Sequence, residues 1–162
     1  MPPDRETDEV AIVLVHGGAG QLGDRSDLSA WQARYREAGF TTLSIDYKLL
    51  GAEPGEPVYP VPELNAKAAV PFLHLHGREL GTSQVIVQGH SAGARLRGML
   101  LTTRRDPGLK GPELWPGVSD AIDGLIGFYG YFDGYQFEAA RYYGGDGIAP
   151  SSATSTINAS AA

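Results

Sequence analysis

The segment with the most chemical content is Gly89-His90-Ser91-Ala92-Gly93, a G-x-S-x-G pattern. It lies between an apolar run at residues 84–88 and a helical pattern that opens at Ala92, so it predicts a sharp strand-to-helix turn. Such a turn strains the residue at its apex and crowds the backbone on either side, where only glycine fits. Gly89 and Gly93 meet that demand. The apex hydroxyl is then lifted above the end of a sheet, beside the N–H groups of a helix start. A serine placed there is a candidate nucleophile toward an acyl carbon. The bland alternative, a structural turn that happens to hold serine, is outweighed by the strand–turn–helix context.

A second glycine-rich segment, His16-Gly17-Gly18-Ala19-Gly20, follows the first apolar run. Glycines here let backbone N–H groups approach a developing negative charge. The N–H groups of Gly17, Gly18 and Ala92 form the candidate oxyanion hole, each donor worth roughly 3–4 kcal/mol in a transition state. His16 is expected to order this loop, not to act as a base.

The same stretch supports a rival reading. Gly18-Ala19-Gly20-Gln21-Leu22-Gly23 is formally G-x-G-x-x-G, and Asp46 stands 23 residues beyond Gly23. That is the layout of a dinucleotide-binding turn, with the acid placed for a ribose hydroxyl. Against it, no Tyr is followed four residues later by Lys, and a nucleophile elbow has no place in that scheme.

A serine nucleophile needs a base. The four histidines are His16, His74, His76 and His90, and none follows Ser91. The side chain of His90 should diverge from that of its neighbour. His74 and His76 fall in the helical stretch before the elbow and are expected to pack or face solvent. Asp133 could serve as an acid, but a turn role is favoured. Neither acid nor base is assigned within the chain.

These residues need a scaffold that brings two loops together. Val10–Val15 is apolar throughout and rich in β-branched residues, the mark of a strand buried on both faces. Residues 26–40 read as a helix, 41–46 as a strand, and 47–62, with four prolines, as an extended loop. Residues 63–79 read as a helix that Pro71 should kink or split. A strand at 84–88, a helix at 92–103 and a strand at 122–128 follow. Such alternation predicts right-handed βαβ crossovers and a parallel sheet with helices on both faces. Ligands then bind beyond the C-terminal strand ends, where both glycine-rich turns lie.

Composition narrows the function classes. The chain has 162 residues, one domain's worth, with 13 Lys+Arg against 19 Asp+Glu and a net charge of −6. An acidic balance argues against nucleic acid and anionic membrane as partners. Without cysteine there is no disulfide, thiolate metal site or Cys nucleophile. The charged first ten residues lack the apolar core of a signal peptide, so a cytoplasmic location is expected. No metal or organic cofactor is implied.

Taken in order, His16-Gly17-Gly18-Ala19-Gly20, Asp46-Tyr47-Lys48-Leu49 and Gly89-His90-Ser91-Ala92-Gly93 resemble the successive signatures of α/β-hydrolases. The pattern is similar to carboxylesterases related to hormone-sensitive lipase and to feruloyl and acetyl-xylan esterases. Kynurenine formamidases are also near, through Gly-His-Ser-Ala-Gly-Ala with a following Leu96. Ile126-Gly127-Phe128-Tyr129-Gly130-Tyr131-Phe132-Asp133 resembles the strand and turn that follow. Ala19 stands where the family usually has a third glycine, and Asn65 where it often has Asp. The resemblance implies an α/β-hydrolase fold, an acyl-enzyme on Ser91, and a small ester or amide as substrate.

In that fold the acid and histidine come after the serine. The chain is therefore expected to be the N-terminal part of a hydrolase, its sheet incomplete at the C-terminus, with a core at 9–133. Residues 150–162 would be a low-complexity tail or a loop toward a further strand. A complementary C-terminal portion or a second copy is the expected macromolecular partner. A non-catalytic binding module on the same fold is the alternative that the histidine positions favour.

Overall fold

A computed structural model describes residues 9–50, 59–103, 109 and 115–130. Asp133 and residues 150–162 lie outside the described residues. Four strands, β1 (Val10–Val15), β2 (Thr41–Ile45), β3 (Gln84–His90) and β4 (Gly124–Phe128), form one parallel sheet in the order β2-β1-β3-β4. A short 3-10 turn at Arg25–Leu28 and helix α1 (Ser29–Glu37) join β1 to β2. Helix α2 (Val61–Leu80) joins β2 to β3, and α3 (Ala92–Thr102) joins β3 to β4.

Alternation along β1 divides the core into two layers. Ala11, Val13 and Val15 pack against Ala66, Val70 and Leu73 of α2 and Leu96 and Leu100 of α3. Ile12 and Leu14 face the other way, toward Leu28, Trp31 and Tyr35. Both faces of the strand are buried, which is why it tolerates no polar residue. Helices on opposite faces also fix where the site can be. The chain leaves β1 over one face and leaves β3 over the other, so a crevice opens between their C-terminal ends.

Several elements differ from expectation; β4 begins at Gly124, not at residue 122, and α2 begins at Val61, within the expected loop. The helix expected at 26–40 begins as a 3-10 turn. The Asp24 side chain accepts from Ser26 N at 2.6 Å while Asp27 accepts from Asp24 N at 3.2 Å, and these reciprocal caps start the coil early. It ends at Glu37 because Gly39 N and Phe40 N bond back to Arg36 O and Tyr35 O, each at 2.9 Å. Pro71 does not split α2. Packing of Ala66, Ala69, Val70 and Leu73 on the sheet to either side of it outweighs one lost ladder bond. β3 runs two residues past Gln88, since Gly89 pairs with Val15 and His90 with Phe128.

Candidate active site

Ser91 sits at φ 49°, ψ −114°, a region that a serine adopts only when its surroundings impose it. The surroundings are backbone. A Cβ on Gly89 would lie 2.2 Å from Gly93 O, and one on Gly93 would lie 2.3 Å from Val15 O and 2.4 Å from His16 O. The helix α3 thus starts in direct contact with the end of β1, at a distance no side chain permits. Ser91 N–H donates to Phe128 O at 2.9 Å, and Ser91 O accepts from Ala94 N at 2.9 Å and Arg95 N at 3.2 Å. The apex is tied to β4 on one side and to α3 on the other. The N–H of Ala92, at the first position of α3, has no acceptor within the helix.

The β1 loop meets the elbow from the opposite flank. A Cβ on Gly17 would lie 3.1 Å from His90 O and 3.3 Å from Ser91 Cβ. Sequence-assigned Gly17, Ser91, Ala92, Gly89 and Gly93 are therefore brought together. Gly18 opens the turn that follows, its carbonyl accepting from Gln21 N at 2.9 Å and Leu22 N at 3.0 Å. Tyr47 holds this loop from below. It is 6% exposed, its ring stacks on His16 with centroids 4.4 Å apart, and the one hydrogen of its hydroxyl is shared between His16 O and Gly17 O, each at 3.0 Å. Tyr47 was visible in the sequence only as part of Asp46-Tyr47-Lys48-Leu49, and its task requires a tertiary contact that spacing does not disclose. Asn65 Oδ1 accepts from Lys48 N at 2.9 Å, so an amide serves where only an acceptor is needed. On α2, fully buried Glu63 pairs with Arg95 of α3 at 3.2 Å and braces the elbow helix.

The histidines are engaged away from the Ser91 hydroxyl. Buried His16 has Nδ1 2.9 Å from Gly17 O, consistent with the loop-ordering expectation. His74 Nε2 lies 2.8 Å from Ala121 O, and His76 Nδ1 lies 3.3 Å from Glu79. His90 packs among Trp31, Phe128 and Tyr129, with Nε2 2.9 Å from Gln88 Nε2 and Nδ1 2.8 Å from the Tyr129 hydroxyl. Its side chain diverges from Ser91, as its place in the strand demands. Burial holds the His90 pKa below the ordinary imidazole value and keeps the ring neutral. Among the described residues no group of three or more His, Asp or Glu is arranged to hold a metal ion, and no helix is long and apolar enough to cross a membrane.

The family model described as BD-FAE matches residues 1–161. The chain belongs to the BD-FAE family, an esterase family of the α/β-hydrolase type. Solved structures of similar fold include a bacterial heroin esterase, 29% identical with a TM-score of 0.54, covering 64% of this chain and 33% of that one. Thermogutta terrifontis esterase 2 with propionate bound is 26% identical with a TM-score of 0.65, covering 80% of this chain and 46% of that one. Lipase 2 of Moraxella sp. (strain TA144) is 29% identical over 101 residues, 59% of this chain and 22% of the lipase. The chain thus spans less than half the length of each of these relatives. In this BD-FAE chain the acid of the dinucleotide reading has partners in the coil before α1: Asp46 accepts from Arg25 N at 2.7 Å and pairs with the Arg25 guanidinium at 3.5 Å.

Proposed function

We propose that this chain carries the nucleophile and oxyanion hole of a serine hydrolase acting on small carboxylic esters. The observation that supports the reading best is the strained Ser91 between Gly89 and Gly93, flanked by Gly17. Ser91 Oγ attacks the ester carbonyl while the N–H groups of Gly17, Gly18 and Ala92 hold the oxygen that gains charge. The alkoxide leaves with a proton, an acyl group remains on Ser91, and water releases it as a carboxylic acid. The base that takes the Ser91 proton is none of the four histidines, since each ring is turned to other partners. We assign that role to a histidine-bearing portion that would join this chain, in the same polypeptide or another.

The test is turnover of p-nitrophenyl butyrate by the 162-residue chain, with and without Ser91→Ala. An oxyanion hole and binding alone retain only about 10³–10⁴-fold over water. Turnover near background, unchanged in Ser91→Ala and restored to Ser91 dependence by a histidine-bearing C-terminal portion, supports the reading. Robust turnover that is lost in both Ser91→Ala and His74→Ala or His76→Ala overturns the assignment of the base. The second reading, a non-catalytic binding module, rests on the same histidine positions and predicts that no added portion restores turnover.

A further inference from the structure

A chain of hydrogen bonds runs from α1 across the sheet to the residue after β4. The Tyr35 hydroxyl donates to Gln88 Oε1. That contact orients the amide and turns its NH2 toward His90 Nε2, 2.9 Å away. Since the amide nitrogen can only donate, Nε2 must be the bare nitrogen of a neutral ring. The His90 proton is then on Nδ1, 2.8 Å from the Tyr129 oxygen, which accepts it. With its oxygen receiving from His90, the Tyr129 phenol turns its own hydrogen away, into the open. Gln88 is fully buried and His90 6% exposed, whereas Tyr129 is 76% exposed. Tyr129 is held by a buried relay and presents its donor at the surface.

Its place gives that donor a use. Phe128 O accepts from Ser91 N–H, so Tyr129 stands one residue from the nucleophile's backbone, at the C-terminal end of the strand beside it. Gly17 flanks Ser91 from the side of β1, and β1 and β4 lie on opposite sides of β3. Gly17 and the strand end that carries Tyr129 thus stand on opposite flanks of Ser91.

We propose that Tyr129 is a specificity-determining residue whose hydroxyl donates to a second acceptor oxygen on the acyl or alcohol part of the ester, with Gln88 and His90 as its positioning residues. The substrate class is then oxygen-substituted small esters in preference to plain alkyl ones. This rests on the ester-hydrolase reading above. A relay that served only stability would leave ester preference untouched.

Two measurements on the 162-residue chain test it. Imidazole ¹⁵N spectra should show His90 protonated on Nδ1 and bare on Nε2, with both signals moved by Tyr129→Phe and Gln88→Leu. Binding of two isosteric ester pairs, 2-methoxyethyl butyrate against butyl butyrate and ethyl 3-methoxypropanoate against ethyl pentanoate, should favour the ether-bearing member of one pair. The preference expected for one neutral hydrogen bond is roughly three- to ten-fold. It should vanish in Tyr129→Phe and be kept in part by His90→Gln, which retains a donor. The pair that discriminates says whether the acyl or the alcohol side is read. A His90 proton on Nε2, or equal discrimination by Tyr129→Phe, overturns this inference and leaves the ester-hydrolase reading standing. Failure of all four esters to bind overturns both.

Discussion

Replacing Gly93 by alanine places a methyl group 2.3 Å from Val15 O and 2.4 Å from His16 O. An ordinary carbon–oxygen contact begins near 3.3 Å, so the start of α3 must retreat from β1 by roughly 1 Å. Both neighbours are backbone, and neither can turn aside as a side chain would. Overpacking of a rigid core costs about 1–3 kcal/mol, and this contact belongs at the upper end, about 3 kcal/mol. Gly20→Ala is the control. Unlike Gly93 it sits at positive φ, +74°, but nothing lies within 4 Å of its Cβ, so it carries only the left-handed strain, about 1 kcal/mol. Urea unfolding of both variants measures the difference. The retreat also carries Ser91 away from Gly17, and a displacement of about 1 Å can cost on the order of 100-fold in rate. In an ester-hydrolysing form of the protein, Gly93→Ala should therefore lose far more kcat than Gly20→Ala. Equal destabilisation by the two variants, or a costlier Gly20→Ala, would refute the claim that backbone proximity shapes the elbow.

Tyr47→Phe removes the hydroxyl whose one hydrogen is shared between His16 O and Gly17 O and so holds the β1 loop. It should cost about 1–3 kcal/mol by chemical denaturation and lower kcat more than it raises KM. Stability should fall as pH drops below the ordinary imidazole value of 6.5, because the unfolded chain takes up a proton there that buried His90 refuses until lower pH. His90→Gln should flatten that part of the pH–stability curve. NAD and NADP should show no saturable binding by calorimetry at millimolar concentration, and binding abolished by Asp46→Ala would revive the dinucleotide reading.

The parts of the molecule that were legible in the sequence are those whose signal is local. β1 was readable to the residue because burial on both faces leaves six apolar positions in a row. The elbow was readable because two backbone contacts demand glycine at two fixed positions. The end of β3 was misplaced because Gly89 and His90 look like turn residues until their partners, Val15 and Phe128, are known. The continuity of α2 through Pro71 is not legible in the sequence, since propensity is local and the packing of α2 on the sheet is not. Tyr35, Gln88, His90 and Tyr129 span three elements and 94 sequence positions between first and last, so no spacing rule links them. One sign was present: Gln88 directly follows the apolar Val85-Ile86-Val87 in the strand, and a buried amide must be hydrogen-bonded.

The central claim is that Ser91 is the acylated residue, and the most direct measurement is the site of attack by an irreversible serine reagent. A fluorophosphonate should be applied to an ester-hydrolysing form of the protein and the adduct mapped by peptide mass. The account predicts one adduct, on Ser91, with labelling and turnover lost together in Ser91→Ala. An adduct on Ser26 or Ser83, with Ser91→Ala still labelled, would contradict it.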